Sequence, residues 1–145
     1  RRSSIHALMF LIDRELGGLV AFRQALHRRP DVSGEERETA QTIVAALGET
    51  KPDAVITGLG GLPIEEIEEI SEVAHRSEIT GKGHLCGHDG HMTILMTLAK
   101  GLGQSRPAKA RVILMYEPAE ENGVGAAAVL ADPKFQRSSL ISSFR

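Results

Sequence analysis

Val112-Ile113-Leu114-Met115-Tyr116 is an unbroken apolar run between Arg111 and Glu117. A half-exposed antiparallel strand would alternate apolar with polar residues. A run that is apolar at every position predicts instead a parallel strand covered on both faces. Parallel neighbours need helical crossovers, so such a strand belongs in a layered α/β domain. The flanking segments supply the helices. Leu8, Ile12, Leu16, Leu19, Phe22 and Leu26 recur at spacings of three and four, predicting a first helix that ends before Pro30. Gly17-Gly18 weakens it by roughly 1 kcal/mol per glycine relative to alanine. Ser33 and Glu36 form a capping-box pattern ahead of Ala40, Ile43, Val44 and Leu47, a second helix stopped by Gly48.

Ala54-Val55-Ile56-Thr57 predicts a short strand running into the turn of Gly58, Gly60 and Gly61. Pro63 opens a short helical turn with Ile64, Ile67 and Ile70 on one side, and the carboxylates Glu65, Glu66, Glu68 and Glu69 read as its solvated face. Residues 81–90 are too glycine-rich for regular structure. Asp89 is expected to cap a helix carrying Met92, Leu95, Met96, Ala99 and Leu102 that Gly101 and Gly103 end. After the apolar run comes a polar turn, then an Ala-rich helix from about Gly125 to Ala131 that Pro133 terminates. The order predicts an α/β fold with a mostly parallel sheet flanked by helices.

Composition narrows the functions open to such a domain. The 145 residues suffice for one core, with 41% apolar and 25% charged residues. A net charge of −2, from 17 basic and 19 acidic residues without a long basic run, argues against nucleic acid or an anionic membrane as partner. The aromatic content is 3% with no Trp, so stacking platforms for bases or sugars are poorly supplied. Cys86 is the sole cysteine, which excludes an intrachain disulfide and fits a reducing compartment. No stretch approaches the roughly 18 apolar residues of a membrane span. The apolar run after Arg1-Arg2, Ala7 to Ile12, is short and lacks a small-residue cleavage site, so a cytoplasmic protein is expected. The chain opens on Arg1 rather than Met, so its first residues need not be the native start.

Two clusters could carry chemistry. The segment GHLCGHDGH, residues 83–91, gathers His84, Cys86, His88, Asp89 and His91 among glycines. In an extended segment, residues two apart point the same way, so Cys86 and His88 could reach one ion together. A thiolate beside an imidazole suits a borderline-soft divalent cation. A buried thiol among surface histidines is the ordinary alternative; a structural zinc knuckle or a Cys–His nucleophilic pair are others. The second cluster is EPAEE, residues 117–121, immediately after the apolar run. In open α/β sheets ligands bind beyond the carboxyl ends of strands, which puts Glu120 and Glu121 where chemistry is expected. Adjacent carboxylates can divide the work of a metal hydrolase, one holding the ion and one accepting a proton. Taken alone, two glutamates opening a helix are more simply dipole partners.

In this order the two clusters resemble the N-acyl-amino-acid amidohydrolases, the group containing hippurate hydrolase and the plant auxin-conjugate hydrolases, within the aminoacylase and carboxypeptidase-G type metallopeptidases. The matching segments are LHRRPDVSGEERETA, VITGLGG, LPIEE, GKGHLCGHDGHMTIL and VILMYEPAEENGVGAAAVLADPKF, spanning about residues 16–135. The resemblance implies an incomplete metallopeptidase catalytic domain over residues 1–145. It makes Cys86, His88 and Glu121 ligands of a dinuclear divalent-metal site (Zn, Mn, Co or Ni) and Glu120 the general base and acid. Asp89 and His91 belong to the motif as supporting or capping residues.

The chain also departs from that family. There, VITGLGG leads into a further strand pair and an Asp-rich turn before LPIEE, whereas here Gly61 runs directly into Leu62-Pro63, which implies a deletion within the sheet. The family continues past ADPKF to a further ligand His, a lid or dimerisation domain and a last ligand His. QRSSLISSFR resembles none of these, so the lid domain is expected to be absent from this chain, and no His follows His91. Glu117 stands where the family has Gln. The function implied is metal-dependent hydrolysis of the amide bond in N-acyl amino acids or small peptide conjugates. The alternative is a catalytically incomplete metal-binding remnant or fragment of such an enzyme, and a purely structural domain would leave Cys86 and His88 unused. The implied partner is a small acylated substrate, with homo-oligomerisation compatible with the family.

Overall fold

Three leucines two turns apart set the orientation of the first helix. The computed structural model describes residues 2–32, 34–53, 73–119 and 123–133. Within them α1 spans Arg2–Arg28, and Leu11, Leu19 and Leu26 are buried along one stripe. The stripe is rotated slightly from the expected one. Leu16 is exposed, and its neighbour Glu15 turns toward the next layer, where its Oε2 accepts a 2.9 Å hydrogen bond from Lys100 Nζ. Gly17-Gly18 does not interrupt α1, which ends before Pro30 with His27 and Arg28 in its last turn, the favourable end of the dipole for cations.

Helix α2, Arg37–Gly48, buries Thr39 and Ile43 and ends at Gly48 as expected. Its start differs from the capping-box reading. Glu36 occupies the N-cap position without a side-chain capping bond, and the Thr39 N–H donates to Asp31 Oδ2 at 2.8 Å instead. Ser33 lies outside the described residues. Helix α3, His88–Gln104, begins one residue before the expected cap, so Asp89 sits inside its first turn and Gly87 precedes it. Gly101 and Gly103 lie within the helix rather than ending it. Gly103 is needed for packing, because a Cβ there would stand 2.8 Å from the Thr50 carbonyl oxygen beyond α2. Helix α4, Gly125–Ala131, has the expected bounds; Asp132 is extended (φ −70°, ψ 123°), the conformation Pro133 imposes on its predecessor.

Helix α3 packs against both α1 and α2. Leu19, Ile43, Met96 and Ala99 form the buried centre, one or two residues from each helix. Phe22, Ala46, Leu47 and Met92 close around it. Leu114 and Tyr116 pack on the same centre, while Val112 and Ile113 are exposed. The run 112–116 is therefore covered only over its second half among the described residues, and it is neither helix nor strand. A β-strand is defined by its ladder, and no ladder forms among the described residues, so the parallel sheet read from the sequence is not seen there. The expected strand at 54–57 and the helical turn after Pro63 lie outside the described residues. No helix among them is long and apolar enough to cross a membrane.

Candidate active site

The turn that carries Cys86 and His88 is shaped by Gly87. Its φ of +78° is left-handed, a conformation glycine adopts without steric cost. A Cβ at Gly87 would meet nothing within 4 Å, so the backbone angle rather than space selects glycine. Cys86 is exposed at the turn and His88 opens α3, half-buried. Cys86 and His88 thus flank a sharp turn at one helix N-terminus instead of lying on the extended segment read from the sequence. His91, one turn on, is exposed, and its ring centroid lies 6.0 Å from that of His88.

Beneath the turn, Asp89 is fully buried and ties α3 to α1. Arg23 Nε and His27 Nδ1 each donate to Asp89 Oδ2 at 3.0 Å. Burial alone would raise the Asp89 carboxyl. The His27 hydrogen bond, the Gly90 backbone N–H and the Arg23 charge outweigh it and hold the group below the usual carboxylate range. Asp89 is therefore an interhelical anchor rather than the helix cap expected from its position. His27 also meets His75 edge-on, centroids 5.2 Å apart, and lies 6.3 Å from His84. Burial lowers the His84 pKa, which outweighs the opposing pull of Asp89. Among the described residues, the buried His84 Nε2 and Asp89 Oδ1 have no hydrogen-bond partner.

The loop of EPAEE is held on its near side. Ala119 is buried, has a left-handed φ of +53°, and donates its N–H to Glu36 Oε1 at 2.8 Å. Gly125 closes on the same loop so tightly that a Cβ there would run into the Pro118 carbonyl oxygen. Burial pushes the Tyr116 hydroxyl up to about 12. Glu120 and Glu121 themselves lie outside the described residues. Among the described residues no three His, Cys, Asp or Glu side chains converge as a metal-binding group. A shallow cavity of about 120 Å³ is lined by Arg29, Pro30, Asp31, Glu38, Ile79 and Lys82, none of them an expected ligand. The sequence reading missed Arg23, His27 and Glu36 as supporting groups. Arg23 and His27 stand one helical turn apart ahead of Pro30, a spacing that could have marked them as partners of one acid.

The chain belongs to peptidase family M20/M25/M40, whose model matches residues 61–142. It is similar to IAA-amino acid hydrolase ILR1-like 5 of Arabidopsis thaliana, 33% identical over 128 residues that cover 74% of this chain and 29% of that protein. It is also similar to N-acetyldiaminopimelate deacetylase of Enterococcus faecalis, 31% identical over 141 residues, 81% of this chain and 36% of that protein. N-acetyl-L-cysteine deacetylase of Bacillus subtilis is 31% identical over 135 residues, 79% of this chain and 32% of that protein. The chain thus spans about a third of the length of these relatives.

Proposed function

We propose that this chain carries one part of the active site of a metal-dependent amidohydrolase that cleaves N-acyl amino acids or small peptide conjugates. The observation that supports the reading is that Cys86 and His88 flank the left-handed Gly87 at the start of α3, next to the buried Asp89 that ties α3 to α1. The donor chemistry of Cys86 and His88 fits a divalent zinc-like ion, and Glu121 would complete a thiolate, imidazole and carboxylate set. The names of the relatives, hydrolases and deacetylases of acylated amino acids, agree with that substrate class. The continuous apolar run at 112–116 and the family membership support a parallel α/β layer in the assembled domain, of which residues 1–145 are a partial catalytic unit.

Cys86, His88 and Glu121 would hold a divalent ion, which would supply Lewis-acid polarisation of the scissile carbonyl. Glu120 would act as the general base and acid, accepting a proton from the attacking water and passing it to the departing amine. Zinc titration calorimetry on the 145-residue chain tests the site: wild type should bind, with affinity falling as pH drops because thiol and imidazole must lose protons. Cys86→Ala should weaken binding at least about tenfold, removing one of three donors. Equal binding by the two proteins would remove the proposed site. Zinc binding without any amide hydrolysis, in the chain or in an assembly containing it, would leave the incomplete metal-binding remnant as the reading.

A further inference from the structure

The segment that carries Cys86 and His88 turns around one side chain. His27, in the last turn of α1, is buried. His75 meets its ring edge-on at 5.2 Å and His84 lies 6.3 Å away, so the segment meets this ring twice before Cys86 is reached. Beyond His88 it returns to the same residue, where His27 Nδ1 donates to Asp89 Oδ2 at 3.0 Å. His84 stands two residues before Cys86 and Asp89 one after His88, so a single imidazole brackets both. Arg23 donates to the same oxygen, but it is a long side chain and half exposed. A buried ring has fewer torsions to order than an arginine, which makes His27 the better fixed of the two. Its hydrogen bond also acts where the direction of α3 is decided. Asp89 lies in the first turn of α3, whose Gly90 and His91 amides donate to the Gly87 carbonyl. Adjacent residues of a helix are separated by about 100° around its axis, so holding Asp89 toward α1 also fixes where His88 leaves the turn.

We propose that His27 is a positioning residue for Cys86 and His88: by donating to Asp89 it sets the rotation of the first turn of α3 and with it the place of both side chains. This role rests on the metal-site reading above, of which it involves Cys86 and His88 alone. The N–H is what the role requires of His27, while the ring serves packing. His27→Asn puts an amide N–H near the place of Nδ1 and removes the ring. His27→Phe keeps a ring and removes the N–H. A residue that merely held α1 against α3 would rank its variants by unfolding free energy. Glu15→Gln, which loosens the other tie between these helices, supplies that comparison.

Zinc affinity of the 145-residue chain, the thiolate-to-metal absorption of its cobalt(II) form and urea unfolding are measured for wild type, His27→Asn, His27→Phe, Glu15→Gln and Cys86→Ala. Groups that orient metal ligands are worth about 10- to 100-fold in affinity. His27→Phe should lose at least about tenfold and shift the cobalt absorption, whereas His27→Asn should stay within about threefold of wild type and keep it. Glu15→Gln should lower stability and change neither. His27→Asn binding at least about tenfold more weakly overturns the role by itself, whether or not His27→Phe folds. So does His27→Phe binding like wild type, or affinity that falls in step with unfolding free energy across the variants, Glu15→Gln included. If wild type binds zinc no better than Cys86→Ala, the metal-site reading falls and this role with it. If Cys86→Ala loses zinc while both His27 variants keep it, this role alone falls.

Discussion

Glu120 and Glu121 are chemically identical and adjacent, so only their roles distinguish them. In an assembly that hydrolyses N-acyl amino acids, Glu120→Gln should keep the metal and lose rate, because an amide holds the shape but cannot accept the proton. The loss should be about 10²- to 10⁴-fold, the usual contribution of a general acid–base group. Glu121→Gln should lose metal first and recover part of its activity in excess ion, since an amide oxygen is the poorer ligand. Metal content and rate measured on both variants decide this, and the reverse pattern would exchange the roles. Asp89 belongs to the stability side of the ledger. Asp89→Ala removes the buried acceptor that His27 Nδ1 and Arg23 Nε share. Complete loss of a fully buried pair costs about 3–5 kcal/mol, and Arg23 is half exposed, so the expected destabilisation is about 2–3 kcal/mol. Urea unfolding of both proteins measures it, and a change under about 0.5 kcal/mol, the ordinary range of surface substitutions, would show that Asp89 is no anchor.

At the scale of elements, α1 and α3 are joined by a second tie, Lys100 to Glu15. The Lys100 hydrogen bond, aided by Arg14, holds the Glu15 carboxyl below its ordinary value of 4.5. A group whose pKa is lower folded than unfolded adds stability above the unfolded value and loses it as pH falls through the folded one. The melting temperature of wild type should therefore exceed that of Glu15→Gln near pH 6, and the gap should close as pH falls below the ordinary value of 4.5 and through the lowered folded one. A gap independent of pH would assign the effect to packing instead. The helices show what a sequence can disclose. The end of α1 before Pro30, the stop of α2 at Gly48 and both bounds of α4 follow from local signals that act within a turn. Cys86 and His88 stood out because they are close in sequence, but the left-handed turn at Gly87 between them reads from the sequence as extended. What was hidden is long-range: Asp89 reaching 62 and 66 positions back to α1, and Glu36 reaching forward to Ala119. Residues 112–116 fall between these cases. Their apolar pattern records the cover they seek, while a ladder depends on neighbours that no local pattern contains.

For the molecule as a whole, the segment that ends in Cys86 and His88 is moored at both ends to one helix. At the near end the Glu78 N–H donates to the Arg28 carbonyl at 2.8 Å; at the far end Asp89 grips Arg23 and His27. The last turn and a half of α1 is therefore the quay to which the whole span is tied, although it contributes no proposed ligand. A chain beginning at residue 61, where the family match begins, would keep Cys86, His88, Glu120 and Glu121 and cast off both moorings. Its zinc affinity should fall by at least about tenfold, on the scale of losing the groups that orient metal ligands, and equal affinity in the two chains would show that the turn holds its own shape. Residues that a family comparison of the catalytic segment leaves outside its bounds would then be the ones that give the donors a fixed place to stand.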